Sequence, residues 1–128
     1  NPFNGHNVLV VRSQAPAVAL VHAQRADREG NLWIEDPVTD ELVMRASRRV
    51  IVTAEEIVER LPRATVAGAW VDCVAHTPGG AWPTACAGCY AEDERHLERY
   101  LQLARAGQFR NYLRQHVGTR ERRPRFVQ

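Results

Sequence analysis

Val18–Asn31 reads VALVHAQRADREGN, and its first part is apolar at successive positions rather than at alternate ones. Ala17–His22 (AVALVH) therefore reads as a strand covered on both faces, as in a parallel sheet; a strand with one wet face would alternate. The next residues change character. His22-Ala23-Gln24-Arg25-Ala26-Asp27 stands where that strand is expected to end, which is where open α/β sheets gather ligands. Glu29-Gly30-Asn31 is a turn signal, and Leu32–Ile34 behind it reads as a short hairpin arm.

Working outward, Asn7–Val11 (NVLVV), Arg49–Thr53 (RVIVT) and Trp70–Ala75 (WVDCVA) carry the same buried-strand pattern. Helical spacing separates them. Thr39 or Asp40 can cap a helix bearing Leu42, Val43 and Ala46, with Arg45, Arg48 and Arg49 at the end that favours positive charge. Thr53 with Glu56 three residues on is a capping-box signature, followed by the stripe Ile57, Val58, Leu61 and a stop at Pro62. His76–Tyr90 is rich in Gly, Pro, Ala and Thr and reads as one long loop. Beyond it, Leu97, Tyr100, Leu101 and Ala104 share one helical face; after Gly107, Phe109, Tyr112, Leu113 and His116 or Val117 share the next. Strand–helix–strand–helix order predicts an α/β fold, a largely parallel sheet with flanking helices.

The length of 128 residues suits one domain with a hydrophobic core. Apolar residues at 45% and charged residues at 25% exclude a disordered chain. All the positive charge is arginine, and much of the excess is in the tail: Arg114, Arg120, Arg122, Arg123 and Arg125 face one acid, Glu121. A solvated terminus accounts for that tail, and residues 118–128 are set apart from the domain 1–117, with no nucleic-acid partner expected. No apolar run approaches the roughly 18 residues of a membrane span, so no membrane is expected, and there is no signal-peptide pattern. Three cysteines without framework spacing suit a reducing cytoplasm. The opening Asn1-Pro2-Phe3, without an initiator methionine, reads as a chain entered in the middle.

Cys73-x-x-His76 followed by Cys86-x-x-Cys89 has the ligand types of a tetrahedral zinc site. The geometry opposes it, since alternation along a strand turns Cys73 and His76 to opposite faces, and no metal is expected. Arg25 and His22, at the strand end, are candidates to meet an anionic substrate; an ordinary turn pair of Arg25 with Asp27 is the plainer reading. In Pro78-Gly79-Gly80-Ala81-Trp82-Pro83-Thr84, paired glycines let a backbone approach a ligand and present N–H groups. Neither a dinucleotide fingerprint nor a phosphate-binding loop is present, and no serine or cysteine stands in a nucleophile turn.

Taken together, these segments resemble the A subunits of class I CoA-transferases. VALVHAQRADREGN is similar to that family's aliphatic strand, His-x-x-Arg-Ala-Asp and Gly-Asn; RRVIVTAEEIV (Arg48–Val58) to its strand leading into Glu-Glu-Ile-Val. WVDCVAHTPGGAWPTACAGCY (Trp70–Tyr90) resembles the glutaconate-type branch, with Val-Asp on the strand and a Pro-Gly-Gly-Ala-x-Pro-Thr loop, and DERHLERYLQLAR the helix that follows. The resemblance covers about Pro2–Val117 and identifies the chain as the C-terminal half of an A subunit.

The resemblance implies an enzyme acting on acyl-CoA thioesters, with coenzyme A entering as substrate and no resident cofactor. A glutamate attacks the thioester to form an anhydride and then an enzyme–CoA thioester. In the glutaconate-like enzymes that glutamate belongs to the B subunit, and the Gly-rich oxyanion segment to the first half of the A subunit. No residue here is then catalytic; Arg25, Gly79 and Gly80 line or support the substrate site, and Gly80→Val is expected to harm turnover more than stability. The implied partners are the N-terminal half of the same subunit, the B subunit, and the acyl-CoA, in a hetero-oligomer. Relatives of the family decarboxylate a glutaconyl-type CoA or hydrolyse a carbon–carbon bond in a CoA thioester. The reading from a different class is a non-catalytic binding module.

Overall fold

The computed structural model describes residues 3–117, so the basic tail 118–128 lies outside the described residues. Four strands and three helices follow in order: β1 Ala19–Asp27, β2 Leu32–Trp33, α1 Val38–Ala46, β3 Val50–Val58, β4 Cys73–His76, α2 Glu94–Arg105 and α3 Phe109–His116. The strands form one sheet in the order β2-β1-β3-β4. β1, β3 and β4 run parallel, and β2 closes the edge antiparallel. Parallel neighbours cannot be joined by a tight turn; the chain crosses from β1 to β3 through α1.

One face of the sheet is packed. Ala19, Val21 and Ala23 of β1 and Val50, Val52 and Ala54 of β3 are buried with Leu32, Ile34, Met44 of α1 and Val66. The other face carries Leu20, 76% exposed, and Ile51, then His22, Thr53 and Glu55. The expectation of strands covered on both faces is therefore met on one only, because no described element lies over Leu20 and Ile51.

Two expected elements are corrected. Asn7–Val11 forms no strand: nothing in the described sheet pairs with it, and Leu9 is 91% exposed. The helix expected from Thr53 to Leu61 is the second half of β3. Pairing with β1 continues through Ala23↔Ala54, Arg25↔Glu56, Ala26↔Ile57 and Asp27↔Val58, so the parallel ladder overrides the local helix signal. Thr53 caps nothing; its hydroxyl meets His22 Nδ1 at 2.8 Å and the carbonyl of Val21 at 3.4 Å. By the same pairing, β1 runs past His22 to Asp27, which places His22 in mid-strand. Trp70 lies in one turn of 3₁₀ helix, Gly68–Trp70, before β4 begins.

Asp27 pins the end of β1. It is 2% exposed. Its carboxylate accepts the N–H groups of Glu29 (3.0 Å), Asn31 (2.9 Å) and Leu61 (3.3 Å), and the Asn31 side-chain amide (3.0 Å). Asn31 Oδ1 in turn accepts Gly68 N–H at 3.0 Å. Gly30 takes φ +82 in the turn, and a Cβ on Gly68 would collide with the Glu29 carbonyl. The Ala-Asp-x-x-Gly-Asn pattern is thus a structural staple between the β1–β2 turn and the segments that follow β3.

Candidate functional site

Alternation along β1 and β3, with His22 opposite Thr53 in the parallel register, puts His22, Thr53 and Glu55 on the uncovered face of the sheet. The loop Thr77–Tyr90 folds back over them. Glu55 lies beneath this loop with its side chain 10% exposed. Four donors converge on its carboxylate: Gly79 N–H on Oε2 at 2.5 Å, and on Oε1 Gly80 N–H at 3.1 Å, the Tyr90 hydroxyl at 2.5 Å and His22 Nε2 at 2.7 Å. The Tyr90 oxygen also accepts Ala81 N–H at 3.0 Å, and His76 Nε2 meets the Glu55 backbone carbonyl at 3.1 Å. Gln24 adds a tie to the Ala87 carbonyl at 3.3 Å.

Burial alone would raise the Glu55 pKa, but the hydrogen bonds from Tyr90, Gly79 and His22 outweigh it and hold the carboxyl below its ordinary range. The Tyr90 hydroxyl is raised by burial and by its bond to that carboxylate. Cys86, buried at the far end of the loop, is pushed up to about 12 by burial, by Cys89 beside it and by the Glu55 charge. At neutral pH the arrangement holds one carboxylate beside a protonated phenol and a protonated thiol.

The loop joins the sheet to the helical hairpin. Gly79 holds φ +69 and the Trp82–Pro83 peptide is cis. Pro83 O accepts Asp93 N–H at 2.9 Å, and Asp93 caps α2 through His96 N–H at 3.0 Å. The Trp82 and His96 rings lie 4.3 Å apart, and His96 Nε2 reaches the Tyr112 hydroxyl of α3 at 2.7 Å.

The three residues proposed from sequence separate. Gly79 and Gly80 belong to the cluster, and their N–H groups are given to Glu55. Arg25 lies on the opposite face of β1 from His22 and pairs with Glu56 across the strands at 3.0 Å, both more than half exposed; it makes no turn pair with Asp27. The zinc motif is not what the fold gathers. Among the described residues, the ligand atoms within 4.8 Å of one another are those of His22, Glu55 and Cys86, and a cation on Glu55 Oε1 would have to displace the three donors already there. Sequence reasoning missed Glu55 and Tyr90. The available signal was a period of two continuing through Val50–Val58, which the capping-box pattern masked.

Residues 8–106 match the family described as malonate decarboxylase, alpha subunit, transporter. The chain belongs to that family, a relative of the CoA-transferases. It is 39% identical over 110 residues to the A subunit of 3-oxoadipate CoA-transferase from Pseudomonas knackmussii, a match covering 81% of this chain and 39% of that one. It is 34% identical over 113 residues to the A subunit of glutaconate CoA-transferase from Acidaminococcus fermentans, covering 82% and 35%. Among solved structures, a variant of the decarboxylase AibA/AibB superposes with a TM-score of 0.84 at 49% identity, over 93% of this chain and 45% of its own. Glutaconate CoA-transferase of A. fermentans superposes with 0.75 at 30% identity, over 90% and 39%. The chain thus spans less than half the length of these relatives. The α/β fold is that of CoA-transferase-like A subunits.

Proposed function

We propose that this chain is the C-terminal part of the A subunit of a heteromeric enzyme that acts on acyl-CoA thioesters, transferring coenzyme A between carboxylic acids. The observation that carries the reading is the match to two CoA-transferase A subunits over four-fifths of the chain, beside a family match over residues 8–106 that contains the Glu55 cluster and its loop. The chemistry agrees. A carboxylate held by four hydrogen-bond donors is a weakened nucleophile, in line with the resemblance, which implies the attacking glutamate in a B subunit and the oxyanion donors in the rest of the A subunit. This chain supplies a wall of the site. The loop surface around Gly79 and Gly80 faces the acyl-CoA, and Arg25, in an exposed pair with Glu56 on the other face of the sheet, is available to an anionic group only from that side. No resident cofactor is needed. Among the described residues no helix is long and apolar enough to cross a membrane, and three free thiols suit the cytoplasm.

A second reading is favoured by one observation: the higher identity, 49%, is with a decarboxylase. On that reading the same wall holds a thioester that loses carbon dioxide. The two part experimentally on the covalent intermediate. Hydroxylamine or borohydride trapping during turnover, with peptide mapping, labels a partner-subunit glutamate in a transferase and labels nothing in a decarboxylase. A label on any glutamate of this chain would overturn the assignment of subunits.

A further inference from the structure

Glu55 joins two parts of the molecule that also meet through Thr77 N–H on the Ala54 carbonyl and Gln24 on the Ala87 carbonyl. On one side are His22 and Thr53, fixed in mid-strand by the β1–β3 ladder; on the other is the Thr77–Tyr90 loop, which has no regular secondary structure. Three consecutive loop amides are committed to this junction, Gly79 and Gly80 directly and Ala81 through the Tyr90 oxygen. Four donors reach the ionised carboxylate, three of them on Oε1 and Gly79 N–H alone on Oε2. Charge-assisted bonds of this length are about twice as strong as neutral ones. The His22 ring also touches the loop from below: a Cβ on Gly80 would lie 2.7 Å from its Cε1. Side chain and loop backbone therefore fit in one arrangement.

We propose that Glu55 is a positioning residue, a carboxylate latch that fixes the Thr77–Tyr90 loop on the uncovered sheet face and so sets the shape of the acyl-CoA site. This rests on the loop lining that site. Glu55→Gln places an amide N–H₂ among four donors, so at least one of them must lose its acceptor and the loop loosens. Tyr90→Phe removes one donor and the acceptor for Ala81 with less disturbance to folding.

The test is made on the complete heteromeric enzyme. Amide exchange of peptides covering residues 77–90 is followed with and without acyl-CoA, beside steady-state kinetics. Protection of the wild-type loop by acyl-CoA places it at the site; absence of protection removes the reading on which the latch rests, whatever Glu55 does. Given protection, Glu55→Gln is expected to speed exchange in residues 77–90 and raise KM about tenfold, equivalent to about 1.4 kcal/mol, with kcat changed less. Tyr90→Phe is expected to do the same more weakly, and the double variant to fall short of the sum, since both act on one junction. Unchanged loop exchange in both variants, or faster exchange with KM unaltered, would sink the latch. A covalent label on Glu55 would make it a nucleophile instead.

Discussion

At the scale of single residues, Gly80 shows how the structure changes an expectation. Its N–H and its missing side chain are both used inside the protein, against Glu55 and against His22 and the Thr77 carbonyl, which a Cβ would approach to 2.8 Å. Gly80→Val is therefore expected to cost about 1–3 kcal/mol of stability by overpacking, with activity and melting temperature falling together. Activity lost at an unchanged melting temperature would restore a direct role for the glycine. Asp27 gives a second case. Asp27→Ala removes the shared acceptor of the Glu29, Asn31 and Leu61 N–H groups and is expected to destabilise the fold by about 1–3 kcal/mol, read from urea unfolding. Asp27 and Glu55 share a pH signature. Burial acts to raise both, but hydrogen bonds hold both folded pKa values below the ordinary carboxylate range. A depressed folded pKa contributes stability that is present above the unfolded value of about 4 and is lost as pH falls through the folded one. The share of unfolding free energy owed to these two carboxylates is thus expected to be lost below about pH 4, with a shallower drop in Asp27→Asn. Equal slopes would refute that origin. The metal expectation also belongs here: elemental analysis should find zinc well below one equivalent, and a stoichiometric ion lost on Cys86→Ser would move the function toward a structural module.

Among elements, β3 decides the site. Read as strand then helix, Thr53-Ala54-Glu55-Glu56-Ile57-Val58 scatters its acids over a helix surface. As a continuous strand it sends Glu55 to the loop side and Glu56 to Arg25. The Arg25–Glu56 pair, at 3.0 Å, bridges β1 and β3, and the Arg28–Glu59 pair, at 2.7 Å, bridges the residues just after them. All four side chains are more than half exposed, and such pairs are worth about 0–1 kcal/mol. Arg25→Ala should therefore leave unfolding within about 1 kcal/mol of wild type, so a tenfold loss of kcat/KM in that variant would report contact with substrate. Unaltered kinetics would return Arg25 to a purely cross-strand role. The turn chemistry, the long loop and both C-terminal helices were legible beforehand, since Gly, Pro and helical spacing act locally. The strand expected at Asn7–Val11 was not, because β-branched composition supplies a surface without naming its partner.

For the whole molecule, the uncovered sheet face is the main fact. Leu20, Ile51 and the extended Val8–Val11 run leave apolar surface in water, and parallel sheets are ordinarily covered on both sides. The isolated 128-residue chain is expected to lack a cooperative monomeric transition, and to fold when co-expressed with a B subunit and the remainder of its own subunit. Sedimentation and thermal unfolding of the isolated chain test this. A cooperative monomer with no partner by mass spectrometry would end the half-subunit reading.

The sequence by itself determined the fold class, the position of the helical hairpin, a long loop read as His76–Tyr90, whose first residue the structure gives to β4, and the likeness to CoA-transferase A subunits. Each depends on periodicity, turn chemistry or the order of short motifs, which are properties of neighbouring residues. Only the tertiary structure decided that Thr53–Val58 is strand, that Glu55 lies at the centre of a cluster with His22, Gly79, Gly80 and Tyr90, and that Arg25 is turned away from it. These depend on the register of β1 against β3 and on a loop returning across more than twenty residues. A capping box is worth about 1 kcal/mol, less than a parallel ladder that pairs β3 along its length. The local signal therefore lost to a contact that no window of the sequence contains.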